Sequence, residues 1–254
     1  MNLEVPKYPY EYDFNEILII SWNFFTSNYT QIFKVAFISY FFTNLIIILL
    51  PDFDIKGVFT FDFVNIDYIA LYIVIIFFLT SVSNIPLIIF IKRSINKDII
   101  SIYATFREFY KVIFAHWVAN LFTVILFFSM FYLWINSSLK FPRIFIFTFL
   151  PVIVLLIYSS FSVLVLANKG ISLWDSFKYS FSVVKGRWLK VFMFILIIYV
   201  LSALTSVTVG IPYIFLSRNL FTELIFNTIV NVICSFFVIL NTVLFINFDD
   251  TKLL

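Results

Sequence analysis

Polar and apolar positions follow two patterns along this chain. Stretches with helical amphipathic spacing run directly into long segments that are apolar on every side. One step marks three of these junctions: an aromatic residue, two variable positions, Ile or Val, then Phe. It occurs as Tyr29-Thr30-Gln31-Ile32-Phe33, Tyr110-Lys111-Val112-Ile113-Phe114 and Trp188-Leu189-Lys190-Val191-Phe192. A helix needs roughly 20 apolar residues to cross the hydrocarbon core of a bilayer. Six stretches meet that length, at about 30–50, 69–91, 112–135, 144–167, 191–215 and 224–247. Their length and their lack of strict alternation predict helices rather than a β-barrel. The expected fold is an all-α polytopic membrane protein with six transmembrane helices and amphipathic interfacial elbow helices.

The lead-in segments carry helix-start signals. Asp13 with Glu16, and Ser172 with Asp175, each read as an N-cap followed by an acid three residues on. In the third lead-in, Trp174, Phe177, Phe181, Val184 and Trp188 recur at three and four residues, with Lys178, Ser182 and Lys185 off that stripe. In the second, Ile99, Ile102, Tyr103, Phe106 and Tyr110 do the same, opposite Ser101, Arg107 and Glu108. Helices of this kind lie in the headgroup plane or pack on neighbouring spans as elbows. The first and third units align without gaps at a shift of 159. Glu16 falls on Asp175, Ser21 on Ser180, Trp22 on Phe181, Tyr29 on Trp188 and Phe33 on Phe192. The middle unit aligns with the first at a shift of 81 around Tyr110. The expectation is a single membrane domain, 1–254, of three parallel helix-plus-hairpin repeats at about 13–92, 98–168 and 171–248.

Composition agrees with the pattern. Hydrophobic residues make up 63% and charged residues 12%, against about 25% charged in a soluble domain. Most of the outer surface must therefore face lipid. The segment from Met1 to Asn15 is too polar for a secretory signal, so the first span is expected to act as an uncleaved anchor. Lysine and arginine set the orientation. With the N-terminus in the cytoplasm, only Lys56, Lys140, Arg143 and Arg218 of the 17 basic residues fall on the far side. This predicts a multi-pass protein of the inner or plasma membrane with both termini cytoplasmic. Its basic rim favours anionic phospholipids. Nucleic acid is not an expected partner, because the basic residues are spread over separate connectors with no soluble fold to present them.

The run Asp175-Ser176-Phe177-Lys178-Tyr179-Ser180-Phe181-Ser182-Val183-Val184-Lys185-Gly186-Arg187-Trp188-Leu189-Lys190-Val191-Phe192 resembles a recurring element of six-span prokaryotic membrane proteins. That group looks like the membrane domain attached to some glycerophosphodiester phosphodiesterases, with related stand-alone membrane proteins. In the element, an acid-containing amphipathic helix ends in Lys-Gly-Arg/Lys-Trp before a span. The resemblance implies that Gly186 ends the elbow and that Arg187 and Trp188 sit at the interface. It implies a fold and a location rather than a reaction. No soluble catalytic domain follows before Leu254, so phosphodiesterase activity is not expected.

Candidate chemistry is sparse. His116, the only histidine, has Asn120 as the nearest polar neighbour on its helical face. A metal site or a nucleophilic triad needs more partners than that. Asp52, Asp54 and Asp62 read as solvated acids of an outer loop, and Cys234 as a small buried hydrophobe. No catalytic residues, metal or cofactor are expected, and the chain is not read as an enzyme. Polar residues inside the spans are more informative. Asn84 precedes Pro86 in the second span, and Asn227 and Asn231 mark the sixth. With His116 and Asn120 they are candidates either for helix packing or for a polar cavity. The headgroup candidates are Arg107, Lys111, Lys178, Lys185, Gly186, Arg187 and Trp188. The leading expectation is a non-enzymatic membrane protein whose elbows engage lipid headgroups or a membrane-protein partner. The alternative is a transporter or permease subunit for a small apolar or zwitterionic solute.

Overall fold

The computed structural model describes residues 12–49, 66–95, 101–114, 118, 154, 157–215 and 219–250. Among these residues every regular element is helical. In chain order they are α1 (Phe14–Ser27), α2 (Tyr29–Leu49), α3 (Ile66–Ile95), α4 (102–114), α5 (Ser162–Lys169), α6 (Leu173–Val184), α7 (Trp188–Gly210) and α8 (Leu220–Asp250). A 3-10 turn, Ile211–Phe215, continues α7. Three helices, α2, α7 and α8, are long and apolar enough to cross a membrane. At 1.5 Å per residue each runs about 30 Å or more, the thickness of a bilayer core. The chain is a helical membrane protein.

Local chemistry sets where the lead-in helices start. The Asp13 N–H donates to the Glu16 carboxylate at 2.8 Å at the start of α1. At the start of α6, Ser172 Oγ accepts the Asp175 N–H at 3.2 Å and donates to its carboxylate at 2.6 Å. Each arrangement satisfies backbone N–H groups that a helix start leaves unpaired. α1 and α6 open 159 residues apart, at Phe14 and Leu173, and so do α2 and α7, at Tyr29 and Trp188. α6 stops because Gly186 takes φ 86°, which turns the chain out of the helix before Arg187.

The expected second span corresponds to α3, which continues through the buried Pro86. Most of the expected third span and half of the fourth lie outside the described residues. Where the fourth is described it is not one straight helix. A turn at Ser160 and Phe161 separates residues 157–159 from α5. Ser160 Oγ donates to the Ile157 carbonyl at 2.7 Å and Ser162 Oγ to the Ser159 carbonyl at 2.7 Å, so hydroxyls take up carbonyls that the turn releases.

α8 is the axis, packing against α1, α2, α3 and α7. It runs antiparallel to α2, because Ile239 meets Ile32 while Thr228 and Asn231 meet Asn44. Two apolar clusters flank its second half. One joins Phe161, Val183, Val191, Leu244 and Phe248 from α5 to α8. The other joins Phe24, Ile32, Phe90 and Ile239 from α1, α2, α3 and α8.

The left-handed backbone at Gly186 yields a direct test. Gly186→Ala is expected to lower stability by about 1 kcal/mol, since a Cβ is strained there even though nothing crowds it. Gly210→Ala, equally uncrowded and without a positive φ, is expected to be neutral or mildly stabilising. Thermal unfolding of both variants in detergent, followed by helical circular dichroism, makes the comparison.

Candidate functional site

The elbow helices carry their bulky aromatics outward. α6 buries Ser176, Ser180, Val183 and Val184, and exposes Trp174 and Phe181. Ser180 Oγ donates to the Tyr158 carbonyl at 2.6 Å, fixing the inward face to the residues before α5. α1 follows the same plan at equivalent positions. Ile17, Ser21 and Phe24 are buried, while Trp22 and Tyr29 are exposed. α4 buries Thr105 and exposes Tyr103 and Tyr110. Each lead-in thus presents two aromatics seven residues apart: Trp22 and Tyr29, Tyr103 and Tyr110, Phe181 and Trp188. All six are 40% to 76% exposed. In water such surface would be costly; at the edge of a bilayer it forms the aromatic belt.

The basic candidates divide by what holds them. Lys178 and Lys185 are exposed, with the Lys178 ammonium 5.9 Å from the Trp174 ring. Arg107 and Lys111 are also exposed. The Arg187 guanidinium is half-buried, 5.4 Å from the Phe248 ring, so its first role is to seat the start of α7 on the end of α8. Gly186 shapes the turn, and Trp188 opens α7 with its ring partly exposed. The sequence places Glu108 opposite the apolar stripe of its helix. In the structure it turns toward α3, pairing with Arg93 at 2.8 Å and Lys92 at 3.5 Å.

One polar cluster on this side was not anticipated. Asp249, in the last turn of α8, pairs with Lys169 at 3.0 Å and accepts a hydrogen bond from the Tyr179 hydroxyl. The Lys169 ammonium lies 4.4 Å from the Tyr179 ring centre. Partial burial works against the Lys169 charge, but the bonds to Tyr179 and Asp249 outweigh it and raise its pKa above 10.5. Partial burial, then the bond to Asp249, raises the Tyr179 phenol above 10.0. Nearby, Asn247 Oδ1 accepts the Tyr12 N–H at 3.2 Å, so the start of α1 is tied to the same turn.

The intramembrane candidates form interhelical bonds. The Tyr40 hydroxyl donates to Asn84 Oδ1 at 2.6 Å. Asn44 Nδ2 donates to Thr228 Oγ1 at 3.3 Å, and Asn231 Nδ2 donates to Asn44 Oδ1 at 3.2 Å. Ser206 Oγ and Cys234 Sγ meet at 3.1 Å between α7 and α8. Pro86 is buried in α3, two residues beyond Asn84. Asn227 is partly buried on α8 and takes no part in this network. His116 and Asn120 lie outside the described residues. Tyr40 and Asn44 were not singled out from the sequence. The available signal was two adjacent polar pairs, Ser39-Tyr40 and Thr43-Asn44, one helical turn apart in an otherwise apolar stretch. Among the described residues, no three His, Cys, Asp or Glu side chains are grouped to hold a metal ion.

No family model, no curated protein and no solved structure matches the chain.

Asn44 joins two side chains of α8, and interhelical bonds of this kind contribute about 0.6 kcal/mol each on average. Asn44→Leu is therefore expected to lose about 1–2 kcal/mol, and Asn227→Leu far less, in equilibrium unfolding of the detergent-solubilised protein. The Lys169–Tyr179–Asp249 cluster predicts a pH dependence. Both raised groups hold their protons more tightly when folded, so their contribution is complete below about pH 10 and is lost as pH rises through the folded values. Unfolding midpoints should be level through neutral pH and fall above pH 10. Asp249→Asn should lower the neutral-pH plateau by about 1 kcal/mol and shrink that alkaline fall.

Proposed function

We propose that this chain is a six-span membrane protein of three parallel elbow-and-hairpin units, and that its elbows engage phospholipid headgroups on the cytoplasmic face. The observation that carries this reading is the recurrence, at shifts of 81 and 159 residues, of an exposed aromatic pair seven residues apart along a helix, or across its junction with the next, whose opposite face is buried. An amphipathic helix held parallel to a bilayer meets protein, acyl chains and water on three different sides. α6 is divided in that way. Ser176, Ser180 and Val183 face the protein, Trp174 and Phe181 face outward, and Lys178 flanks those rings. The lysine and arginine distribution supports a topology with these elbows and both termini in the cytoplasm.

The likeness of residues 175–192 to the element found in six-span prokaryotic membrane domains supports the same architecture. We read the role as non-enzymatic: among the described residues, no acid–base or nucleophilic constellation accompanies the elbows. Transport of a small solute is the weaker alternative. It calls for polar groups turned toward a passage, whereas Tyr40, Asn44, Asn84, Thr228 and Asn231 are bonded to one another across helix contacts.

Native mass spectrometry of the gently extracted protein tests this reading. Anionic phospholipid is expected to be retained over zwitterionic lipid, with the preference falling as ionic strength rises. Equal retention of both classes would sink the proposal, and a stoichiometric protein partner bound in their place would recast the elbows as a protein interface.

A further inference from the structure

The outward stripe of α6 and its continuation into α7 alternates in character: Trp174, Lys178, Phe181, Lys185, Trp188. The steps from Trp174 to Lys185 are four, three and four residues, which hold one face of α6, and Trp188 opens α7 just beyond the Gly186 turn. All five residues are exposed. The equivalent residues of the first elbow, 159 positions earlier, are Asn15, Ile19, Trp22, Thr26 and Tyr29, and all five are again exposed. The presentation is the same and the chemistry differs. The first stripe carries no cation, and Asp13 and Glu16 stand at its start. In the second elbow, Tyr103, Arg107 and Tyr110 hold the equivalent places, with one cation between the rings.

We infer that the third elbow is a dedicated site for an anionic phospholipid, with Lys178 and Lys185 taking the phosphate and Trp174, Phe181 and Trp188 taking the upper acyl chains. The inference rests on the lipid-engaging reading above and assigns it to one of three similar helices. Charge decides the occupant. Lys178 and Lys185 lie about two helical turns apart, roughly 10 Å, within reach of a headgroup lying along the stripe. The other cations nearby are engaged by protein groups: Lys169 is paired with Asp249, Arg187 lies over Phe248 and Lys190 over Phe194. A zwitterionic lipid brings its own cation and gains less from the two lysines. The aromatic rings supply affinity that does not discriminate between headgroups, so selectivity is carried by the lysines.

The first elbow supplies an internal control. In one variant, Lys178→Ile with Lys185→Thr gives the third stripe the chemistry of the first. In a second, Ile19→Lys with Thr26→Lys grafts the lysines onto the first elbow. Both are measured by native mass spectrometry of the full chain titrated with phosphatidylglycerol or phosphatidylcholine. Each lysine near an anionic surface contributes roughly a fivefold change in affinity. The first variant should bind phosphatidylglycerol about thirtyfold more weakly and bind phosphatidylcholine as before. The graft should add a second phosphatidylglycerol without disturbing the first. Unchanged phosphatidylglycerol binding by the first variant, lost only when Arg107 and Lys111 are also neutralised, would overturn the assignment to the third elbow and leave the general reading standing. A wild-type protein that does not prefer phosphatidylglycerol would overturn both.

Discussion

A helix surrounded by hydrocarbon gains nothing from burying a leucine against another helix, because lipid tails are as apolar as the side chain they would replace. Contact has to come from close fit and from polar groups that find partners. The described helices meet under that rule. Small serines, Ser21, Ser176 and Ser180, join Ile17, Phe24 and Val183 on the inward faces of the elbows, while Trp22, Trp174 and Phe181 are turned out. Where α2 crosses α8, Ala36 lies against Val232 and an asparagine–threonine–asparagine contact closes the far end.

The polar groups are concentrated where they do most to fix geometry. The last turn of α8 accepts a backbone bond from Tyr12, a hydroxyl bond from Tyr179, an ion pair from Lys169 and a guanidinium from Arg187. Through those contacts it joins the starts of α1 and α7, the end of α5 and the middle of α6. The elbows therefore do not hang from their spans by a flexible joint. They are pinned at one end of the axial helix, and this gives their outward stripes a constant orientation.

Much of this was legible in the sequence. The three apolar helices follow from composition, and the starts of α1, α2, α6 and α7 follow from the caps and from the repeated junction step. The facing of the elbows was only half legible. A stripe such as Trp174, Phe177, Phe181, Val184 and Trp188 has one hydrophobicity but two destinations. Val184 is buried in protein and Trp174 is exposed. Hydropathy alone does not separate a protein interior from a lipid one. The partners of Glu108 were not legible either, because Lys92 and Arg93 sit on the preceding helix and not on its own. The role of Asp249 was hidden by distance along the chain, since Tyr179 lies 70 residues away and Lys169 still further.

That distance has a consequence for how the protein is made. The Tyr12 N–H and its acceptor Asn247 are separated by 235 residues. Translation at about 5–20 residues per second places tens of seconds between them. α1 exists throughout that interval, and α6 for roughly its last quarter, while the turn that will pin them does not yet exist. Their assembly is therefore a closing event that awaits the last helix, and an insertion machinery releasing the early helices would release them with their elbow ends still untied.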